Sequence, residues 1–230
     1  MNVVESTDPY CLRAGESAAL LTGHPWKRFA VLGDSVAEGY GDPVEGYSEL
    51  FWCDRIAAEL DVREYLNVGK YGLKAAEVLG TQLEPALAFR PDLALVVCGG
   101  NDAFMRGYDP DAVDTALETM IVALQGVGAD VVTVSMFDIS HSPRVPDWLR
   151  PGLRDRTRTL AERTGALAAR LGTLHLNLRE HPLVADLSLY SEDGLHGNAR
   201  CAAIAAAEAV RRLGAEVAAR RRVPGEVVSL

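Results

Sequence analysis

The chain of 230 residues is long enough to bury a full hydrophobic core, and its hydrophobic content of 48% and charged content of 24% are those of an ordinary globular protein. Its formal net charge of -9 argues against a dedicated nucleic-acid or anionic-membrane binder. No apolar run approaches the roughly 18 residues that a membrane span needs, and the N-terminus lacks the basic and apolar regions of a signal peptide.

The cysteine pattern agrees with an intracellular location. Cys11, Cys53, Cys98 and Cys201 are scattered along the chain without the C-x-x-C spacing of many metal or redox sites. Free thiols of this kind are typical of a protein kept in a reducing compartment. We therefore expect a cytoplasmic protein with no membrane span and no nucleic-acid partner.

Five short segments predict the strands of a parallel sheet. The first contains four apolar residues in a row and the third is apolar throughout, as is expected where helices cover both faces of a strand and remove the alternation of polar and apolar residues. The predicted strands are residues 27–32, 65–68, 93–98, 131–137 and 174–178.

Helical patterns alternate with these strands. The clearest begins at Asp109-Pro110, an N-cap acid followed by proline at the first helical position, and continues with apolar residues at helical spacing. Helices are also expected over 47–60 and from after Gly72 to about residue 89. An Arg-rich helix is expected after the loop at 138–151 and should end near residue 171, and an Ala-rich helix should begin near residue 198. The alternation predicts one α/β domain over residues 1–230, with an irregular leader at 1–25 and a charged tail at 215–230.

Three predicted strands end in small or polar residues, and parallel strands place these ends at one edge of the sheet, where ligands bind. Ser35 follows the first strand and offers a hydroxyl group together with its backbone N–H. Gly72, after the second strand, offers a backbone N–H, and Asn101, after the third, offers a side-chain amide. These donors would form an oxyanion hole for an acyl-transfer reaction, with Ser35 as a candidate nucleophile.

A base for such a serine is available in the loop before the last predicted helix. His196 lies three residues after Asp193, a spacing that allows the carboxylate to reach the imidazole Nδ1–H within one turn. The order serine, acid, histidine along the chain is one of several in which this catalytic arrangement occurs. Ser35, Asp193 and His196 are therefore the candidate catalytic residues.

Four sequence blocks, in this order, resemble those of the SGNH (GDSL-type) hydrolase superfamily. They are Gly33-Asp34-Ser35, Asn67 to Gly72, Gly99-Gly100-Asn101-Asp102 and Asp193-Gly194-Leu195-His196. The resemblance implies a three-layer αβα sandwich of flavodoxin-like type with a five-stranded parallel sheet, and neither metal nor cofactor. It also implies that Ser35 is the nucleophile, His196 the base and Asp193 its orienting acid, with Ser35, Gly72 and Asn101 as the oxyanion hole.

Two details qualify this resemblance. Position 36 is Val where the family has Leu, which changes packing but not chemistry, and Gly72 is chosen over Gly69 by counting from Asn67. The sequence around Ser35 lacks the G-x-S-x-G elbow, which argues against an ordinary α/β-hydrolase.

The expected function is hydrolysis of a small-molecule carboxylic ester through an acyl-enzyme. Two alternatives remain open: an acyltransferase that uses the same residues with a sugar or alcohol acceptor, and a non-catalytic flavodoxin-like binding protein. The acyl and alcohol groups are not defined by the motifs. Side chains that could line a substrate pocket, or could equally be packing residues, are Phe104, Met105, Tyr108, His141 and Trp148.

Overall fold

The sheet is five-stranded and all-parallel. The structure is a computed structural model that describes residues 3–222. Its strands are β1 (Arg28–Gly33), β2 (Glu64–Asn67), β3 (Leu93–Val97), β4 (Asp130–Ser135) and β5 (Leu174–Asn177). Their spatial order is β2-β1-β3-β4-β5, which is the flavodoxin-like order, so the predicted fold class is confirmed.

Helices cover both faces of this sheet. The helices are α1 (Glu16–Leu21), α2 (Ser35–Glu38), α3 (Trp52–Leu60), α4 (Ala75–Phe89), α5 (Gly100–Phe104), α6 (Pro110–Gly126), α7 (Arg150–Leu171) and α8 (Ala199–Arg222). Short 3-10 turns occur at Glu5–Thr7, Ile139–His141, Leu178–Glu180 and Leu187–Leu189. Apolar residues of α1, α3 and α8 pack on one face, and those of α4, α6 and α7 pack on the other.

The alternating direction of side chains along β1 divides the core into these two layers. Phe29 and Val31 join the cluster under α3 and α8, whereas Ala30 and Leu32 join the cluster under α4 and α6. All four side chains are fully buried, which explains the continuous apolar run in the sequence. Both faces of the sheet are therefore covered at β1, which leaves the carboxyl end of this strand for ligands.

Most predicted boundaries agree with the structure within one or two residues, but the helix expected over 47–60 begins at Trp52. The backbone of the preceding segment is held by side chains instead of helical hydrogen bonds. Arg55 donates to the carbonyl oxygens of Ser48 and Leu50, and the Tyr47 hydroxyl donates to Asp8 at 2.8 Å. These contacts compensate for the helical turn that the segment does not form.

The leader that was expected to be irregular contains a helix, and the predicted charged tail begins within a helix. Within the leader, α1 packs against α8, and Leu21 is buried in the core under α3 and α8. The predicted tail begins inside α8, which continues to Arg222; residues 223–230 lie outside the described residues. No helix between residues 3 and 222 has the length and apolar character required to cross a bilayer.

Candidate active site

Ser35 lies at the start of α2, directly after the carboxyl end of β1. Asp34 is the N-cap of this helix, and its Oδ1 accepts a hydrogen bond from the N–H of Val36 at 3.0 Å. The carbonyl of Ser35 accepts from the N–H of Gly39, which ends the helix after one turn. The serine side chain is thus presented at the sheet edge by a short, capped turn.

The residue before this turn fits only as glycine. A Cβ on Gly33 would lie 2.1 Å from the carbonyl oxygen of Val97 on β3 and 2.8 Å from the Cβ of Ala37. The buried side chain of Gln82 on α4 holds both backbone groups of Gly33, accepting from its N–H and donating to its carbonyl, each at 2.8 Å. The entry to α2 is therefore fixed by β3 and by α4.

Ser35, His196 and Asp193 form one continuous hydrogen-bond chain. The Asp193 Oδ2 atom lies 2.6 Å from His196 Nδ1, and His196 Nε2 lies 2.9 Å from the Oγ of Ser35. A carboxylate can only accept, so Nδ1 carries the hydrogen and Nε2 is left to accept from the serine hydroxyl. The structure brings these three predicted residues together in the geometry that activation of a serine requires.

The carboxylate of Asp193 is held by the turn that also carries the histidine. Its Oδ1 accepts from the backbone N–H groups of Leu195 at 2.8 Å and His196 at 3.0 Å. Burial raises the pKa of this carboxyl, but the hydrogen bonds from the imidazole and from the two N–H groups outweigh burial and lower the pKa below its ordinary value. Asp193 is thus kept ionised and fixed beside the imidazole.

The loop of Gly72 follows β2 and is tied to α2 and α5. Tyr71 donates its backbone N–H to Glu38 Oε2 on α2 at 2.6 Å, and the carbonyl of Leu73 accepts from Asn101 Nδ2 on α5 at 2.9 Å. Asp102, the next residue of α5, accepts from the N–H of Ala75 at the start of α4. The residues on either side of Gly72 are therefore held by the helices that follow β1 and β3.

The side-chain amide of Asn101 is partly engaged in holding this loop. One N–H of Nδ2 donates to the Leu73 carbonyl, and Asp34 Oδ2 lies 3.5 Å from the same nitrogen. A separation of 3.5 Å makes a weak hydrogen bond, so the second N–H is only loosely held. Within residues 3–222, the backbone N–H groups of Ser35 and Gly72 donate to no protein acceptor. Three donors are thus available at this edge.

Asp34 is a buried acid beside these groups. Burial raises its pKa to about 6, and the neighbouring Asp102 acts in the same direction, while the N–H of Val36 and the imidazole of His196 oppose the rise. Its two oxygens contact Val36 and Asn101. The carboxyl of Asp34 therefore links the turn of Ser35 to α5.

A mostly apolar cavity opens beside His196. It encloses about 770 Å³, including its open mouth, and lies between α2, α3, α8 and the segment that follows β4. Its wall includes Trp52, Phe137, Leu189 and Ala202. An adjoining cavity, beyond the shared wall of Val36, Met136, Phe137 and Ile139, extends towards α5 and α7.

Only one of the five predicted pocket residues lines these cavities, namely Phe104 in the adjoining cavity. Met105 and Trp148 are exposed, Tyr108 packs against the core under α4 and α6, and His141 lies 3.9 Å from Asp138 Oδ2. Position in a loop after a strand was the only signal for these residues, and it does not define the direction of a side chain.

Three further residues, which the sequence motifs did not predict, contact the site. Gln82 holds the backbone of Gly33, and the rings of Tyr40 and Tyr71 pack against His196 at centroid distances of 4.8 and 5.6 Å. The position of Tyr71 directly before Gly72 is a signal that could have indicated a place near the site. The other two contacts join distant parts of the chain, and no local pattern indicates them.

Comparison with known proteins places the chain in a family. The model of the GDSL-like Lipase/Acylhydrolase family matches residues 31–204, which include Ser35, Asn101, Asp193 and His196. The chain belongs to this family, and the resemblance to SGNH (GDSL-type) hydrolases is confirmed.

Individual relatives agree with this membership. An arylesterase of Vibrio mimicus is 27% identical over 127 residues, which are 55% of this chain and 60% of that protein. The matched region thus spans less than two thirds of the curated relative. The lipase/acylhydrolase from Enterococcus faecalis has a TM-score of 0.65 at 22% identity, covering 83% of this chain and 96% of its own. A psychrotrophic esterase from Pseudoalteromonas sp., inhibited by monoethylphosphonate, has a TM-score of 0.65 at 16% identity over 84% and 99% of the two chains.

Proposed function

We propose that this protein hydrolyses carboxylic esters through an acyl-enzyme formed on Ser35. The observation that carries the proposal is the unbroken chain from Asp193 to His196 to Ser35, with contacts of 2.6 and 2.9 Å. Membership in the GDSL-like lipase/acylhydrolase family and similarity to an arylesterase support the same chemistry.

The first half-reaction attaches the acyl group to the enzyme. The Oγ of Ser35 forms a bond to the carbonyl carbon while its proton passes to His196 Nε2, and Asp193 stabilises the resulting imidazolium. The carbonyl oxygen becomes an oxyanion, which accepts from the N–H groups of Ser35 and Gly72 and from the second N–H of Asn101. Collapse breaks the bond to the alcohol oxygen, which takes the proton from Nε2 as it leaves.

The second half-reaction releases the acid. A water molecule gives a proton to His196 and attacks the acyl carbon, and the same donors hold the oxyanion. Cleavage of the bond to Oγ returns the proton from His196 to Ser35 and frees the carboxylic acid. The cavity beside His196 is apolar, which favours a substrate with an apolar portion next to the ester group.

Covalent labelling tests the proposed nucleophile. A fluorophosphonate should bond through phosphorus to the Oγ of Ser35 with loss of fluoride, located by mass spectrometry of the digested protein. Ser35→Ala should lose both the label and ester hydrolysis while remaining folded. An unlabelled wild type, or a Ser35→Ala protein with full activity, would overturn the proposal.

A second serine provides a matched control for labelling. The Oγ of Ser135 lies 3.0 Å from His175 Nε2, so it also forms a buried serine–histidine pair. Its one hydroxyl hydrogen is donated to the carbonyl of Ala161, so it is not directed at His175 as a proton donor. The Ser135→Ala protein should therefore still be labelled at Ser35. This result would show that contact with a histidine is not enough to make a serine reactive.

The proposed role of Asn101 predicts a loss in turnover. Asn101→Ala removes one oxyanion donor and should lower kcat by about 10²–10³ with p-nitrophenyl esters. Asn177→Ala changes the same residue type at the end of β5, where its Oδ1 accepts from the N–H of Arg179, and should leave kcat near the wild-type value. A kcat for Asn101→Ala within twofold of wild type would contradict an oxyanion role.

A further inference from the structure

Two exposed aromatic rings pack, tilted, against the imidazole of His196. Tyr40 and Tyr71 are 55% and 54% exposed, unusual for large rings that have a partly apolar surface. Their centroids lie 5.3 Å apart, and 4.8 and 5.6 Å from that of His196. The two rings and the imidazole thus form a three-membered aromatic cluster that faces solvent on the side of the tyrosines.

The positions of both rings are set by the elements that hold the candidate active site. Tyr40 follows Gly39, which ends α2 with a φ of 94° and packs so closely on Phe51 that an added Cβ would lie 2.6 Å from its ring. Tyr71 directly precedes Gly72, and its N–H is bound by Glu38 of α2. The backbone at both tyrosines is therefore held by α2, the helix that also carries Ser35.

The mechanism of ester cleavage indicates which part of the substrate these two rings would contact. In the proposed reaction the leaving alcohol takes its proton from His196 Nε2, so its oxygen must lie against that nitrogen. The rest of the alcohol then passes the neighbours of the imidazole on its open side. Tyr40 and Tyr71 pack against the imidazole there, and Leu195, which is 43% exposed, lines the mouth of the cavity beside His196 together with Tyr40.

We propose that Tyr40 and Tyr71 form the binding site for the alcohol portion of the substrate and select esters of aromatic alcohols. The inference rests on the proposed ester hydrolysis. Two ring faces and a leucine offer stacking and apolar contact, which suit a benzyl or phenyl group. A saturated alcohol of the same size has no aromatic face and would gain less from the two rings.

A matched pair of substrates isolates the effect of the ring. Benzyl butyrate and cyclohexylmethyl butyrate have the same acyl group and leaving alcohols of similar size and acidity, but only benzyl has an aromatic face. The wild type should favour benzyl butyrate in kcat/KM, with a gain of about 2- to 10-fold from each stacked ring. The preference should lie mainly in KM, because stacking stabilises the bound substrate and the transition state equally.

Variants assign that preference to the two tyrosines. Tyr40→Leu/Tyr71→Leu keeps apolar side chains and should abolish the preference by raising KM for the benzyl ester, with little change for the cyclohexylmethyl ester. Tyr40→Phe/Tyr71→Phe should retain it. Trp148→Leu, at an aromatic side chain that is 76% exposed in another loop, is the control and should change neither ester.

Two kinetic results would overturn the inference. An equal loss for both esters in the leucine variant would mean that the rings position His196 and do not bind the alcohol. A benzyl preference that survives in that variant would mean that other residues supply it.

A binding measurement separates this inference from the proposed function. Ser35→Ala with isotope-labelled tyrosine is titrated with benzyl alcohol and with cyclohexylmethanol, and the ring signals are followed by NMR. Benzyl alcohol should shift the signals of Tyr40 and Tyr71 saturably and more strongly than cyclohexylmethanol does. Absence of these shifts overturns the alcohol site even if esters are hydrolysed, whereas their presence without hydrolysis by the wild type overturns only the proposed reaction.

Discussion

At the scale of single residues, Asp34 combines burial with an ionisable group one position before the proposed nucleophile. Its side chain caps α2 through Val36 and reaches towards Asn101. The helix cap needs only an acceptor oxygen, which asparagine also provides. The negative charge is therefore not required for the turn, and burial makes that charge costly.

This cost predicts a pH-dependent difference in stability between the wild type and Asp34→Asn. The folded-state pKa of Asp34 is raised to about 6, so the folded protein holds this proton more tightly than the unfolded chain does. The wild type should lose stability relative to the variant as pH rises from about 4 to about 6, and the difference should stay constant above that. Its full size is on the order of 3 kcal/mol by proton linkage.

Thermal unfolding of both proteins between pH 4 and pH 8 measures this difference. The melting temperature of Asp34→Asn minus that of the wild type should increase with pH across the stated window. Asp147→Asn removes a fully exposed carboxyl and controls for the loss of one charge. A difference for Asp34→Asn that does not change with pH would show that burial imposes no such cost.

At the scale of elements, the four-residue helix α2 depends on its neighbours, because one turn has too few internal hydrogen bonds to be stable alone. Trp52 Nε1 on α3 donates to the carbonyl of Val36, and Asn67 Nδ2 at the end of β2 donates to the carbonyl of Ala37, both at 2.7 Å. From the other side of the sheet, Gln82 on α4 fixes Gly33. The proposed nucleophile is therefore positioned by three elements.

Gln82→Leu tests the contribution of α4. Leucine fills a similar volume but leaves the buried N–H of Gly33 without its acceptor, which should cost about 1–3 kcal/mol in the free energy of unfolding. Because Gly33 lies two residues before Ser35, kcat should fall as well. Denaturant unfolding and steady-state kinetics on the same samples measure the two effects.

Gln125→Leu is the matched control for this variant. Gln125 on α6 donates to the carbonyl of Leu171 at the end of α7, away from the sheet edge that carries Ser35. It should lose some stability and keep kcat. If Gln82→Leu also kept kcat while losing stability, the contact between Gln82 and Gly33 would serve the fold alone.

The accuracy of sequence-based prediction differs between elements for a physical reason. β1 and β3 are buried on both faces, and the helix at Pro110 has an N-cap and a regular apolar stripe, so local sequence predicts them. Residues 47–51 also look helical, but Tyr47 and Arg55 satisfy the backbone and anchor the segment in another way. Such contacts between distant residues leave no local pattern.

The same distinction applies to the candidate site. Ser35, Asp193 and His196 were predicted because their motifs are local, and the structure brings them into hydrogen-bond contact, while their catalytic roles stay predictions. Tyr40 and Gln82 could not be predicted, since Tyr40 meets His196 across more than 150 positions and Gln82 meets Gly33 across 49.

At the scale of the whole molecule, the buried carboxylate of Asp8 joins the N-terminal segment to the C-terminal half. Its Oδ2 accepts from the hydroxyl of Tyr47 and from Arg200 Nε on α8, each at 2.8 Å, and its Oδ1 accepts from the N–H of Tyr10. Arg200 also binds Asp186 in the loop before α8. The leader that the sequence predicts as irregular is thus anchored by a buried ion pair to the helix that follows His196.

Asp8→Ala should therefore destabilise the protein more than removal of a surface acid does. The change leaves the Arg200 Nε–H and the Tyr47 hydroxyl without their acceptor, while Arg200 keeps its pair with Asp186, and should cost about 1–3 kcal/mol in the free energy of unfolding. Asp111→Ala breaks the exposed pair with Arg163 and should cost about 0–1 kcal/mol.

Burial raises the pKa of Asp8, but the hydrogen bonds from Arg200, Tyr10 and Tyr47 outweigh it, so the folded-state pKa is lowered. The stabilisation is then present above about pH 4 and lost as pH falls through the folded-state pKa. Denaturant unfolding at pH 7 and below pH 4 should show the gap between wild type and Asp8→Ala narrowing in acid. Equal costs for Asp8→Ala and Asp111→Ala at pH 7 would show that this ion pair does not hold the two ends of the chain together.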